Sequence, residues 1–185
     1  MPAPARTSTA AVVAAGRAIL ERDGLDALTM QAVADAVGVK APSLYKRVVG
    51  RDGLVRLVVD QVALELAAEI DGAVRGADPA ADLRAVADTF RRFARRNPAT
   101  YPLLFDPRPG GMSDEARERS SEAVRRVSAA LAGEEHALAG ARMVVAWAHG
   151  FVTMELAGAF RLGGDVEDAW DFALDGLVAA LSGSR

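Results

Sequence analysis

The chain of 185 residues contains no cysteine, and histidine occurs only at positions 136 and 149. The first absence excludes disulfides, thiolate metal sites and cysteine nucleophiles, and it fits a reducing cytoplasm. With two imidazoles there is no paired-histidine zinc motif, and neither a phosphate loop nor a dinucleotide glycine fingerprint occurs. His149 and Glu155 lie six residues apart, about 240° around a helix, so they do not face one ligand. An enzyme is therefore the least supported class, and no cofactor or metal is expected. Long hydrophobic runs are missing too. The most apolar stretch, between Arg142 and Glu155, holds twelve uncharged residues including His149, whereas a bilayer needs about twenty. Residues 1–7 have no continuous apolar core and are not expected to act as a signal peptide; a mobile arm is expected there, with Arg6 in it.

What is present suits a folded, soluble protein with a sizeable core, since 51% of residues are hydrophobic and 25% charged; the segments described below make the expected fold all-helical. The net charge of −3 is unevenly spread. Residues 1–56 carry eight Lys or Arg against five Asp or Glu, a balance of +3, and the remainder carries −6. A basic N-terminal segment on an acidic body suits contact with phosphates at one end.

The basic end centres on residues 29–54, TMQAVADAVGVKAPSLYKRVVGRDGL. Thr29 is a natural N-cap, with Leu28 before it placed to staple onto Val33. Gly38 supplies the left-handed residue that ends the first helix, and Val39 turns into the core. Pro42 fits the first turn of a second helix, where its missing N–H would have no partner anyway. On a period of about 3.6, Ala41, Leu44 and Val48 face inward, while Ser43, Lys46 and Arg47 face outward with Tyr45 beside them. A short helix held by its apolar side, with hydroxyls and cations on the other, matches a recognition helix for a DNA major groove. Packed helical proteins also contain such helix pairs without any nucleic-acid role.

The same text resembles the DNA-binding domain of the tetracycline-repressor (TetR) family of bacterial transcriptional regulators. The match runs from about residue 10 to residue 62 and rests on Val33-Ala34, Gly38-Val39, Leu44-Tyr45, and Arg51-Asp52 followed by Leu54. The resemblance implies that Thr29 lies near a phosphate, that Lys40, Ala41, Pro42 and Ser43 face bases, and that Tyr45, Lys46 and Arg51 hold the DNA backbone. Arg47 is open to either role. The family often has serine at the Lys40 position, glycine at Pro42, and an aromatic then proline at Val48-Val49. Those departures concern sequence readout. Lys40 adds a cation expected to reach guanine or phosphate.

The remaining segments alternate helices and breaks. A first helix is expected from Ser8 or Thr9 to Arg22. A helix from Arg51 to about Val74 is long enough to act as a lever. The next begins at Asp78-Pro79, with Leu83, Val86, Phe90 and Phe93 on one face and the arginines of RRFARR read as a solvated face. One helical turn near Tyr101 to Phe105 and a Pro/Gly loop follow, then helices over about 114–131, 135–162 and 166–181. In all, about nine helices are expected. Residues 1–53 would form a three-helix helix-turn-helix domain, and residues 54–185 an effector-binding and dimerisation domain.

The last two helices are apolar enough to need partners, and in the resembled family this pair forms a four-helix interface with a second subunit. The segment AWAHGFVTMELAGAF resembles the signature of one C-terminal subtype, through Trp147, His149-Gly150, Glu155-Leu156 and Gly158. Such domains bind small effectors. Phe90, Phe93, Tyr101, Phe105, Trp147 and Phe151 offer aromatic walls, with His149 and Tyr101 as polar groups; packing in the core is the competing role for each. The expectation is thus a cytoplasmic homodimeric regulator that binds a palindromic double-stranded operator and a small-molecule effector, with no membrane partner. An effector-independent architectural DNA-binding protein is the alternative.

Overall fold

The computed structural model describes residues 8–107 and 111–184. The expected arm with Arg6 lies outside the described residues. Among these residues seven α-helices occur: α1 Thr9–Asp23, α2 Met30–Val37, α3 Gly50–Ala73, α4 Pro79–Arg96, α5 Asp114–Ala132, α6 Ala137–Leu156 and α7 Val166–Ser182. Four short 3-10 segments lie between them, and no strand occurs among the described residues.

Local chemistry explains most of the boundaries. The hydroxyls of Ser8, Thr29 and Ser113 accept the N–H groups of Ala11, Ala32 and Ala116, satisfying donors that have no partner in the first turn. Gly38, at φ 73° and ψ 39°, closes α2 in the left-handed conformation that costs glycine little. α6 ends sooner than its apolar run suggests. Gly158 takes φ 61°, its N–H bonds the Glu155 carbonyl, and the Ala159 N–H bonds that of Met154. This cap stops the helix at Leu156 and leaves residues 157–165 as a loop, where a helix to 162 was expected.

The chain folds as two compact units, residues 1–64 with 97–117, and residues 65–96 with 118–185. In the first, α1 packs on α2, and Gly16 faces Leu54, Leu28 and Val58, which a methyl group there would meet at ordinary contact distances of 3.4–3.5 Å. Val12, Leu20, Leu28, Val33, Leu44, Leu54 and Val58 make its core. The returning segment is tied to α1 by polar groups. Glu21 accepts the N–H groups of Ala99 and Thr100, each at 3.1 Å, and the Thr100 hydroxyl, while Arg17 donates to Asn97. Asp60 accepts the N–H of Ser113.

In the second unit α4 packs against α6 and α7. A methyl group on Gly140 would meet the Leu181 side chain at 2.9 Å and Ser128 at 3.1 Å, so this glycine sets a close helix approach. By length and composition alone, Glu134–Leu156 is apolar enough to cross a membrane. Its inner residues Gly140, Ala141, Val144, Ala148 and Val152 are buried against this unit. Its outer stripe, Ala139, Met143, Ala146, Gly150, Thr153, Met154 and Ala157, is uncharged and exposed.

Candidate nucleic-acid interface

The expected second helix of the motif forms as a 3-10 helix, Ala41–Lys46, with Pro42 in its first turn. The Ser43 and Arg47 N–H groups bond three residues back, to Lys40 and Leu44, at 2.8 Å. Six residues with one proline lacking an N–H give little ladder to build on, and the tighter spacing is usual in such short pieces. Its consequence is a narrower presentation. With about three residues per turn, Lys40, Ser43 and Lys46 line one edge and Pro42 and Tyr45 the next.

Burial orients this element. Leu44 is fully buried and Val48 nearly so, and the element packs on α2. Lys40, Pro42, Ser43, Tyr45, Lys46 and Arg47 are exposed and Ala41 is half-buried. Tyr45 is 59% accessible and Val49 91%. None of Lys40, Lys46 and Arg47 has a salt bridge or side-chain hydrogen bond to another described residue. Thr29, also exposed, spends its hydroxyl on the Ala32 N–H. Arg51 differs from its neighbours. Its Nε donates to the Leu28 carbonyl at 2.8 Å and its Nη2 to that of Leu25 at 2.7 Å, so half-buried Arg51 anchors the start of α3 to the turn before α2.

The expected effector residues fall into both units. Tyr101, buried, and Phe105, exposed, meet edge to face at 5.8 Å in the first. Phe90 and Phe93 lie in the core of the second, with the Arg96 guanidinium 5.9 Å from the Phe93 ring. Trp147, His149 and Phe151 are half-buried on α6. Burial holds the His149 pKa below its ordinary value, which keeps the ring neutral at pH 7. Trp147 and Phe151 join an aromatic cluster with Trp170, at 4.5 and 5.0 Å, and Phe151 meets Phe160 at 4.8 Å. An open groove of about 520 Å³ between Glu122, Arg126, Ala130 and Ala137 contains none of these aromatics.

Sequence reasoning missed what sits in that cluster. Arg91, read as part of a solvated face, is 4% accessible, with its guanidinium 4.7 Å from the Trp170 ring and 5.5 Å from Phe151. It donates to both carboxylate oxygens of Glu155 (2.5 and 3.0 Å) and of Glu167 (2.6 and 3.1 Å), and Arg95 donates to the same two carboxylates. Burial alone would raise the Glu155 pKa, but its bonds to Arg91 and Arg95 outweigh that and hold it at about 2. The available signal was opposite charge at helical spacing on α4 and α7, which local periodicity does not connect. Among the described residues no group of three His, Cys, Asp or Glu side chains is placed to hold a metal ion.

Comparison with known proteins gives a consistent family. Residues 12–58 match the family described as "Bacterial regulatory proteins, tetR family", and residues 83–177 match "Tetracyclin repressor-like, C-terminal domain". The chain is 30% identical over 161 residues to the uncharacterized HTH-type transcriptional regulator Rv0681 of Mycobacterium tuberculosis, covering 84% of this chain and 73% of that protein. Its fold is similar to that of a Rhodococcus sp. RHA1 protein, with a TM-score of 0.80, 23% identity, and 98% and 97% of the two chains covered. It is also similar to a TetR variant from Acinetobacter baumannii AYE in complex with minocycline, with a TM-score of 0.73, 22% identity, and 96% and 98% covered.

Proposed function

The chain belongs to the TetR family of bacterial transcriptional regulators, and we propose that it is a homodimeric repressor released from a palindromic operator by a small molecule. Residues 1–53 supply the DNA-binding domain in this reading and residues 54–185 the effector and dimer functions. The observation that carries it is the surface of residues 40–47. Lys40, Lys46 and Arg47 stand exposed around buried Leu44 with no counter-charge among the described residues. Phosphate oxygens supply that missing charge. Lys40 and Ser43, at the leading end of the element, face bases with Ala41 and Pro42, and Tyr45, Lys46 and Arg47 hold the backbone. Thr29 lies beside a phosphate. Arg51 contributes by fixing the start of α3 as well as through its remaining donors.

Two further features support the dimer and the effector. The exposed stripe of α6 has a counterpart on α7, where Ala169, Phe172, Gly176, Ala179 and Gly183 recur at helical spacing and Phe172 is 81% accessible. Two uncharged helical stripes of small and apolar residues suit a four-helix interface with a second copy. A structural relative holds minocycline, and the aromatic residues around Trp147, His149 and Phe151 are the chemistry a small organic effector requires. The Trp147, His149-Gly150 and Glu155-Leu156 pattern marks the C-terminal subtype. Effector binding favours a conformation in which the long α3 helices hold the two recognition helices at the wrong separation.

The test is to incubate the purified protein with sheared DNA of its own source at moderate salt and sequence what it retains. One sharply enriched palindrome is the expected outcome, and genes beside it narrow the effector. Uniform recovery by folded dimeric protein refutes operator recognition in favour of an architectural role.

A further inference from the structure

Helix α4 carries two stripes. Leu83, Val86, Phe90 and Phe93 form the apolar one. Arg84, Asp88, Arg91 and Arg95, spaced four, three and four residues apart, form a second face of the same helix. Every member of the second stripe is engaged. Arg84 pairs with Asp175, Asp88 accepts the Trp170 Nε1–H at 2.8 Å, and Arg91 and Arg95 bind Glu167. The order 84 with 175, 88 with 170 and 91 with 167 is that of an antiparallel ladder between α4 and α7. Arg91 and Arg95 extend it to Glu155 in the last turn of α6.

Such a ladder adds little net stability, because desolvation of the charges offsets most of their attraction. It does restrict geometry. Sliding α7 by one turn, about 5.4 Å, would remove Glu167 from Arg91, and the slide that brings Asp171 into its place also carries Asp175 away from Arg84 and toward Asp88, so the pairing of opposite charges is lost. The apolar side adds one position-specific contact, where the Leu181 side chain lies 2.9 Å from the place a methyl group on Gly140 would take. The charges therefore select the register together with that single close contact.

We propose that the Arg84, Asp88, Arg91 and Arg95 stripe fixes the axial position of α7 against α6, and so shapes the two-helix face on which a second copy docks. This rests on the homodimer proposed above. Arg91 is then a positioning residue for an interface formed by other side chains.

Sedimentation equilibrium on the full-length chain tests it. Phe172→Glu, on the docking face itself, is expected to give monomers; if it stays dimeric, the dimer reading fails and this inference with it. Given that control, the double substitution Arg91→Gln with Glu155→Gln removes the centre of the ladder without leaving a lone buried charge. It is expected to weaken dimerisation about tenfold or more. Arg96→Gln, whose partner Glu69 lies off the stripe, is expected to keep the wild-type constant, and Arg91→Lys, which retains the charge but loses the fork, to fall between. In the Phe172→Glu monomer the double substitution is expected to leave helicity intact, separating register from folding. Wild-type dimerisation by the double variant, an equal loss in Arg96→Gln, or collapse of the monomer's helicity overturns the inference.

Discussion

Two stretches of this chain are rich in cations, and they do opposite things. Residues 40–47 hold Lys40, Lys46 and Arg47 on an exposed 3-10 helix with no carboxylate to meet them among the described residues. Residues 84–96 hold Arg84, Arg91, Arg92, Arg95 and Arg96, and every one has a partner within its own unit: Asp175, Glu155, Glu167, Glu69, or for Arg92 the Thr89 hydroxyl. The second stretch has more charge and less to offer a nucleic acid. Whether a cation is already neutralised inside the protein decides if it is available to a phosphate, since an occupied guanidinium must give up one anion to take another.

The comparison breaks most visibly through stability. Arg91→Met leaves half-buried Glu155 with Arg95 alone and is expected to cost about 3 kcal/mol in urea unfolding, the low end for a broken buried pair, whereas Lys46→Met changes stability by less than about 0.5 kcal/mol. Equal costs at the two positions would erase the distinction. DNA affinity sharpens it from the other side. Lys46→Ala with Arg47→Ala is expected to weaken binding to all sequences and to reduce the slope of log affinity against log salt by about two, one per phosphate contact. Arg84→Ala with Arg96→Ala is expected to leave that slope unchanged, as read by fluorescence anisotropy across a salt series. The smallest effect is in acid. Glu155 and Glu167 both titrate below their ordinary value, Glu155 at about 2. A depressed carboxylate stabilises the fold above its unfolded pKa, and that contribution is lost as pH falls from about 4.5 toward 2. Urea midpoints between pH 6 and pH 3 should therefore fall, less steeply in Glu155→Gln.

Local signals in the sequence located the helix starts well, because a cap is a contact between neighbours. Ser8, Thr29 and Ser113 each accept the amide three residues on, and Gly38 takes the left-handed conformation that its place after α2 called for. The exposed and buried sides of residues 41–48 were legible for the same reason, although Pro42 and the short length turned an expected α-helix into a 3-10 helix. The family followed from the same stretch. Contacts between distant residues were not legible. Arg91 looks like a surface residue within its own helix, and its burial depends on Glu155 and Glu167, 64 and 76 positions away. The early end of α6 at Gly158 was hidden by the apolar residues that continue beyond it, since Phe160 packs on Phe151 from a loop as readily as from a helix.

The grip of Glu21 on the amides of Ala99 and Thr100 bears on how such a regulator is recombined. A chimera that transplants the DNA-reading head with a single crossover after α3 would inherit the carboxylate but take residues 97–117 from the recipient. Residues 1–53 sit within a compact unit that is discontinuous in the chain, and grafting them with that support intact requires either two exchanges or a recipient whose own segment presents the same pair of amides to Glu21.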